Sequence, residues 1–115
     1  MKHMLYCLEF KLFAKHYVQI EGSPGQCHSH SWNIAVYINA NNHFKQFYKV
    51  ENLINNLLGK YSNTVLNNHS EFAFVEPSLE NIGEVLLKKI SETLISYDMK
   101  VESLKSVRLP PGFVL

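Results

Sequence analysis

Two stretches, residues 4–16 and 28–40, alternate apolar and polar side chains over a length that only an extended chain can use. In the first, Met4, Tyr6, Leu8, Phe10, Leu12, Ala14 and His16 share one face, with Glu9, Lys11 and Lys15 on the other. In the second, His28, His30, Trp32, Ile34, Val36, Ile38 and Ala40 face one way, and Ser29, Ser31, Asn33 and Asn39 the other. A period of two predicts strands. Between them VQIEGSPGQ carries Gly22, Pro24 and Gly25, the turn chemistry that lets a second strand return antiparallel to the first.

From Phe47 the period lengthens. Phe47, Val50, Leu53, Ile54, Leu57, Leu58 and Tyr61 recur at helical spacing, with Gly59 as a stop. Pro77 and Ser78 mark a second helix start: Ser78 is the candidate N-cap and Glu80 favours the positive end of the dipole. Ile82, Val85, Leu86, Ile90, Leu94 and Tyr97 supply its buried side. Lys100 to Leu109 reads as a weaker strand, broken by Pro110, Pro111 and Gly112. The order strand, strand, helix, helix, strand predicts an α+β architecture, an antiparallel sheet with two helices packed on one face.

The chain has 115 residues and no linker or shift in composition, so a single domain over 1–115 is expected. With 46% hydrophobic and 18% charged residues it has the means to bury a core. A net charge of +1, with Lys and Glu interspersed, gives no footprint for nucleic acid or an anionic membrane. No apolar run is long enough to cross a bilayer, and charge interrupts the MKHMLYCLEFK start too soon for a signal peptide; the expected location is cytoplasmic. There Cys7 and Cys27 stay as thiols.

The histidines carry more chemistry. Side chains two apart on a strand share a face, so His28 and His30 point together into the face continued by Trp32 and Ile34. If the two strands pair through the 17–27 loop, the end of the first lies beside the start of the second, and His16 joins the same corner. A His-x-His pair alone is common by chance, and a strand-end imidazole is ordinarily satisfied by backbone or water. A third ring on the matching face at the matching end favours a metal. Neutral imidazole suits zinc, and three histidines with an open fourth position is the pattern of a catalytic site; calcium and magnesium fit poorly.

These residues resemble the 6-pyruvoyl-tetrahydropterin synthase and 6-carboxy-tetrahydropterin synthase family. Leu12-Phe13-Ala14-Lys15-His16 is similar to its F-x-A-A-H strand end, and His28-Ser29-His30-Ser31-Trp32 to its H-G-H followed by an aromatic. Leu66-Asn67 is similar to the end of D-H-x-x-L-N, and Pro77-Ser78-Leu79-Glu80-Asn81 to P-T-x-E-N. The resemblance implies the tunnelling fold (T-fold), whose subunits assemble into barrels as a homo-oligomer, a trimer or hexamer, with the active site between subunits. It implies zinc on His16, His28 and His30, and 7,8-dihydroneopterin triphosphate or a related pterin as substrate. It also implies a proton-moving thiol, for which Cys27 is the candidate, and substrate contacts at Ser78 and Glu80.

The chain departs from the pattern in three places. Ser62 and Asn63 stand where the family has an Asp-His pair, Pro110 stands near its final glutamate, and Cys27 abuts His28 instead of preceding it by several residues. His69, just beyond Leu66-Asn67, is the candidate replacement for the missing histidine. Each of these has a plainer reading: Cys27 as a small apolar residue, His69 as a loop imidazole, Glu80 as a dipole partner. Lys11 and Lys15 can meet a triphosphate or simply face solvent. Two functions therefore stay open: a zinc-dependent lyase of the pterin synthase type, and a catalytically degenerate zinc-binding paralogue serving as a binding or assembly module. A cupin-like metal enzyme is disfavoured by two amphipathic helices and too few strands.

Overall fold

Among the described residues of the computed structural model, the principal elements are β1 (Met4–His16), β2 (Gln19–Ile20), β3 (Ser23–Pro24), β4 (His28–Ala40), α1 (Phe47–Gly59), α2 (Leu79–Leu94) and β5 (Met99–Arg108), in that order. Short 3-10 turns occupy Leu66–Asn68, Ser70–Phe72 and Ile95–Tyr97. The structure describes residues 4–40 and 47–108. The expectations at Leu109, Pro110, Pro111 and Gly112 lie outside the described residues, as do those at residues 1–3.

β1 and β4 pair antiparallel along their whole length, from Met4 opposite Ala40 to His16 opposite His28. β5 pairs with the other edge of β4, giving the sheet order β1-β4-β5. The expected faces are realised: Leu8, Phe10, Leu12 and Ala14 of β1 and Trp32, Ile34, Val36 and Ile38 of β4 are buried, while Cys7, Glu9, Lys11, Phe13 and Lys15 are exposed. Both helices close over the buried face, contributing Ile54 and Leu58 from α1 and Ile82, Leu86 and Ile90 from α2 to one core. Burying a large aliphatic side chain contributes about 1.5–3 kcal/mol, so this face sets the stability of the sheet.

Local chemistry explains the boundaries. Ser78 sits in extended conformation and its Oγ accepts from the Asn81 amide at 3.2 Å, capping α2 as expected. Tyr97 falls beyond α2, in the 3-10 turn, and Asp98 leaves it in the left-handed region (φ 55°) to enter β5. Tyr61 likewise falls beyond α1 yet is buried, because the chain turns inward after Gly59. The segment expected as a plain turn forms its own hairpin, β2 with β3, with Glu21 and Gly22 at positive φ (51° and 81°) in its tip.

β5 is stronger than its sequence pattern suggests. Opposite Tyr37 and Ile38 of β4 stand Ser103 and Val101, so Glu102 is an extra residue in a β-bulge. Met99 and Val101 face the core before it; Leu104 and Ser106 turn inward after it, toward Gly83 of α2. The bulge shifts the apparent period by one residue and so hides an otherwise regular inward set. Among the described residues no helix is long and apolar enough to cross a membrane.

Ile34 is fully buried in the central strand, whereas Ile20 is 61% exposed in the hairpin. Ile34→Ala is expected to lower the unfolding free energy by about 2–5 kcal/mol, and Ile20→Ala by no more than about 0.5 kcal/mol. Urea unfolding of the two variants checks the assignment of faces.

Candidate functional site

The register of β1 against β4 sets His16, the last residue of β1, opposite His28, the first of β4. His30 follows two residues on. The His16 and His30 rings meet edge to face with centroids 4.8 Å apart, and those of His28 and His30 lie 6.0 Å apart. Trp32, 1% exposed, forms the floor, edge to face with His16 at 5.6 Å and with His30 at 5.7 Å. Among the described residues β5 pairs with β4 from Trp32 onward. The β4 segment carrying His28 and His30 is therefore paired on one side among the described residues, and His28 is exposed.

His16 has its proton assigned by its neighbour. Its Nδ1 lies 2.7 Å from the Pro77 carbonyl, which only accepts, so Nδ1–H donates and the lone pair of the neutral ring is on Nε2. The three imidazoles share a corner and a face without closing on one point. Among the described residues no group of three or more His, Cys, Asp or Glu is arranged to hold a metal ion as it stands.

The remaining candidates are dispersed. Cys27 is exposed, in the connection just ahead of β4. Ser78 spends its Oγ on the α2 cap. Glu80 is exposed in the first turn of α2 and lines, with Leu79, Gly83, Leu87 and Leu104, a depression of about 280 Å³ between α2 and β5. A second depression of about 300 Å³ adjoins the imidazole corner through Pro77 and is lined by Tyr17, Asn67, Phe72, Phe74 and Glu76. Ser62 and Asn63 lie in the turn after α1. Asn63 is exposed at φ 60° and donates its backbone N–H to the Phe13 carbonyl, a conformation that asparagine tolerates better than most residues.

His69 belongs to a separate network. Thr64 Oγ1 donates to the Tyr61 carbonyl at 2.6 Å, so at its 2.9 Å contact with His69 Nε2 the imidazole must be the donor. The His69 ring stands 4.7 Å from that of Tyr61, whose hydroxyl donates to Glu71 at 3.0 Å. Burial, then the Glu71 carboxylate, pushes the Tyr61 hydroxyl well above the usual tyrosine range. Glu71 is held below its ordinary value by its own backbone N–H first, then by the Tyr61 hydroxyl and by Lys89, whose Nζ is 3.8 Å away. Of this network the sequence marks His69 as a candidate and Tyr61 only as part of an apolar helical stripe; Thr64 and Glu71 carry no such signal. The Pro77 carbonyl carries none either: its role is a backbone property that no side-chain pattern records.

A carboxylate held low when folded contributes stability at pH values above its unfolded value, and that stability is lost as pH falls through the folded value. The wild type is therefore expected to lose stability from about pH 4.3 downward. Glu71→Gln is expected to flatten that part of the profile, as read from urea midpoints at neutral and acid pH.

Comparisons with known proteins bear on the family and the fold. The family model for 6-pyruvoyl tetrahydropterin synthase matches residues 6–111. Among solved structures, the fold is similar to that of Caenorhabditis elegans 6-pyruvoyl tetrahydropterin synthase, with a TM-score of 0.72 at 12% identity over 96% of this chain and 98% of that one. It is also similar to a catalytic-residue mutant of Plasmodium vivax 6-pyruvoyltetrahydropterin synthase, with a TM-score of 0.62 at 11% identity over 95% and 99%. No curated protein sequence matches the chain significantly. The antiparallel sheet with two helices on one face is thus the T-fold of these neighbours, and with the family model covering nearly the whole length, the chain belongs to the 6-pyruvoyl tetrahydropterin synthase family.

Proposed function

We propose that the chain is a zinc-dependent lyase of the pterin synthase type, acting in the cytoplasm on 7,8-dihydroneopterin triphosphate or a related pterin. The observation that carries this reading is the corner itself. Three imidazoles from two paired strands share one face, and one of them already directs Nδ1–H to a backbone carbonyl, the outer hydrogen bond by which metal-ligating histidines are commonly oriented. The donor set fits zinc: neutral nitrogens, with room for a substrate oxygen. His16, His28 and His30 would hold the ion, and the exposed position of His28 allows its ring to turn toward the other two. Zinc bound there supplies stabilisation of negative charge developing on the substrate.

The protein's own groups move the protons. Cys27, as thiolate, takes a proton from a carbon of the substrate side chain. His69, with Nε2–H committed to Thr64, keeps Nδ1 as its basic nitrogen and is the second candidate carrier. Glu80 presents an exposed carboxylate, and Ser78 follows directly on Pro77, the residue that orients His16. Assembly as a homo-oligomer, a trimer or hexamer, belongs to the same reading. β5 is an edge strand among the described residues, and an open edge is a site for pairing with another copy.

One observation favours the second reading, a zinc-binding paralogue that has become a binding or assembly module. Ser62 and Asn63 occupy a structural turn, and neither side chain carries an acid-base group for relaying a proton.

His28→Ala is expected to lose stoichiometric zinc while keeping its fold; zinc retained at one equivalent, by metal analysis, overturns the site assignment. In zinc-loaded protein given 7,8-dihydroneopterin triphosphate, Cys27→Ala is expected to lower turnover by about 10²–10⁴-fold, followed by product mass. A zinc-loaded wild type that neither binds nor converts this pterin establishes the paralogue reading.

A further inference from the structure

We infer that Asn67 is a positioning residue for His16, acting as a substitute peptide group that completes the outer edge of β1. Along that edge the Asn63 N–H donates to the Phe13 carbonyl at 2.7 Å, and the Lys15 N–H donates to the Thr64 carbonyl at 2.8 Å. Lys15 and Val65 form a parallel bridge there. The next rung on the same edge belongs to Tyr17, but by then the facing chain has curled into the 3-10 turn Leu66–Asn68 and offers no extended backbone. The Asn67 side chain fills the place. Its Oδ1 accepts from the Tyr17 N–H at 3.0 Å and its Nδ2 donates to the Tyr17 carbonyl at 2.9 Å, as a peptide unit would. Leu66, 1% exposed, anchors the turn that carries it.

His16 therefore sits between two residues pinned on the same edge, Lys15 by backbone and Tyr17 by an amide side chain. The pinning leaves the imidazole aimed at the Pro77 carbonyl, which selects its tautomer and leaves the lone pair on Nε2. Glu76 adds a third tie across the same gap, accepting from the Gln19 N–H at 2.7 Å. Only a side chain with a donor and an acceptor in one plane can serve both Tyr17 groups. An aspartate carboxylate in the same place would accept from the N–H and repel the carbonyl.

The clamp stands on these hydrogen bonds; its consequence for metal rests on the zinc reading above. The test uses the full chain and its Asn67→Ala and Asn67→Asp variants, the second nearly isosteric so that packing is preserved if the first fails to fold. In metal-free protein, at a pH where the imidazoles are neutral, ¹⁵N NMR of the ring nitrogens is expected to show His16 as the Nδ1–H tautomer in the wild type and as a mixture in both variants. Zinc affinity, by competition with a chelator, is expected to fall about 10–100-fold in both. A wild type without zinc affinity overturns the zinc reading but leaves the tautomer measurement to decide the clamp. An unchanged His16 tautomer in Asn67→Asp overturns the clamp, whatever the metal result.

Discussion

A slip of one residue between β1 and β4 would carry His16 to the opposite face from His28 and His30, and would turn Leu8, Phe10 and Leu12 out into water. Exposing three such side chains costs several kcal/mol by ordinary area accounting, about 1.5–3 kcal/mol each. That is a large share of the roughly 5–15 kcal/mol that stabilises a typical domain. The register is thus enforced by the apolar part of the strands, and the meeting of the three imidazoles is a consequence of it. A chemical site placed at the end of a hydrophobic register does not have to stabilise its own geometry.

The end of a register is also where a strand frays, and the structure answers this along β1. The outer edge of β1 and the residues that follow it are laced to the 63–67 segment by backbone and side-chain amide bonds and, at Gln19, to the Glu76 carboxylate, so His16 is held from both flanks. His28 and His30 stand at the start of β4, paired with β1 through His16 and Ala14. The corner therefore combines an imidazole whose ring is fixed by a backbone carbonyl, His16, with an exposed one, His28. The Tyr61–Glu71–His69 network lies behind the same lacing, where Thr64 serves both: its backbone carbonyl bonds Lys15 and its hydroxyl bonds His69.

Much of this was legible in advance because periodicity reports burial directly. The faces of β1 and β4, the buried stripes of both helices and the Ser78 cap are all local patterns, and the corner followed from combining two of them. What escaped has a physical reason in each case. The β2–β3 hairpin depends on two positive-φ residues, Glu21 and Gly22, and glutamate is no signal for that conformation. Pro77 acts through its carbonyl and Asn67 through bonds to a backbone 50 residues away, relations that exist only once the chain has folded. The family resemblance implies substrate contacts at Ser78 and Glu80, and residue type does not separate such a role from helix capping, which the structure shows for Ser78.

The bulge in β5 bears on how this strand can change length through evolution. Removing one residue from β4 would invert every side chain beyond the deletion, from core to solvent. Glu102 is surplus to the pairing, and its loss would leave Met99, Val101, Leu104 and Ser106 in regular alternation on the same face. One strand of the sheet thus has a place where losing a single residue keeps the inward set on its face, at the expense of the Asn39–Glu102 hydrogen bond of 3.4 Å.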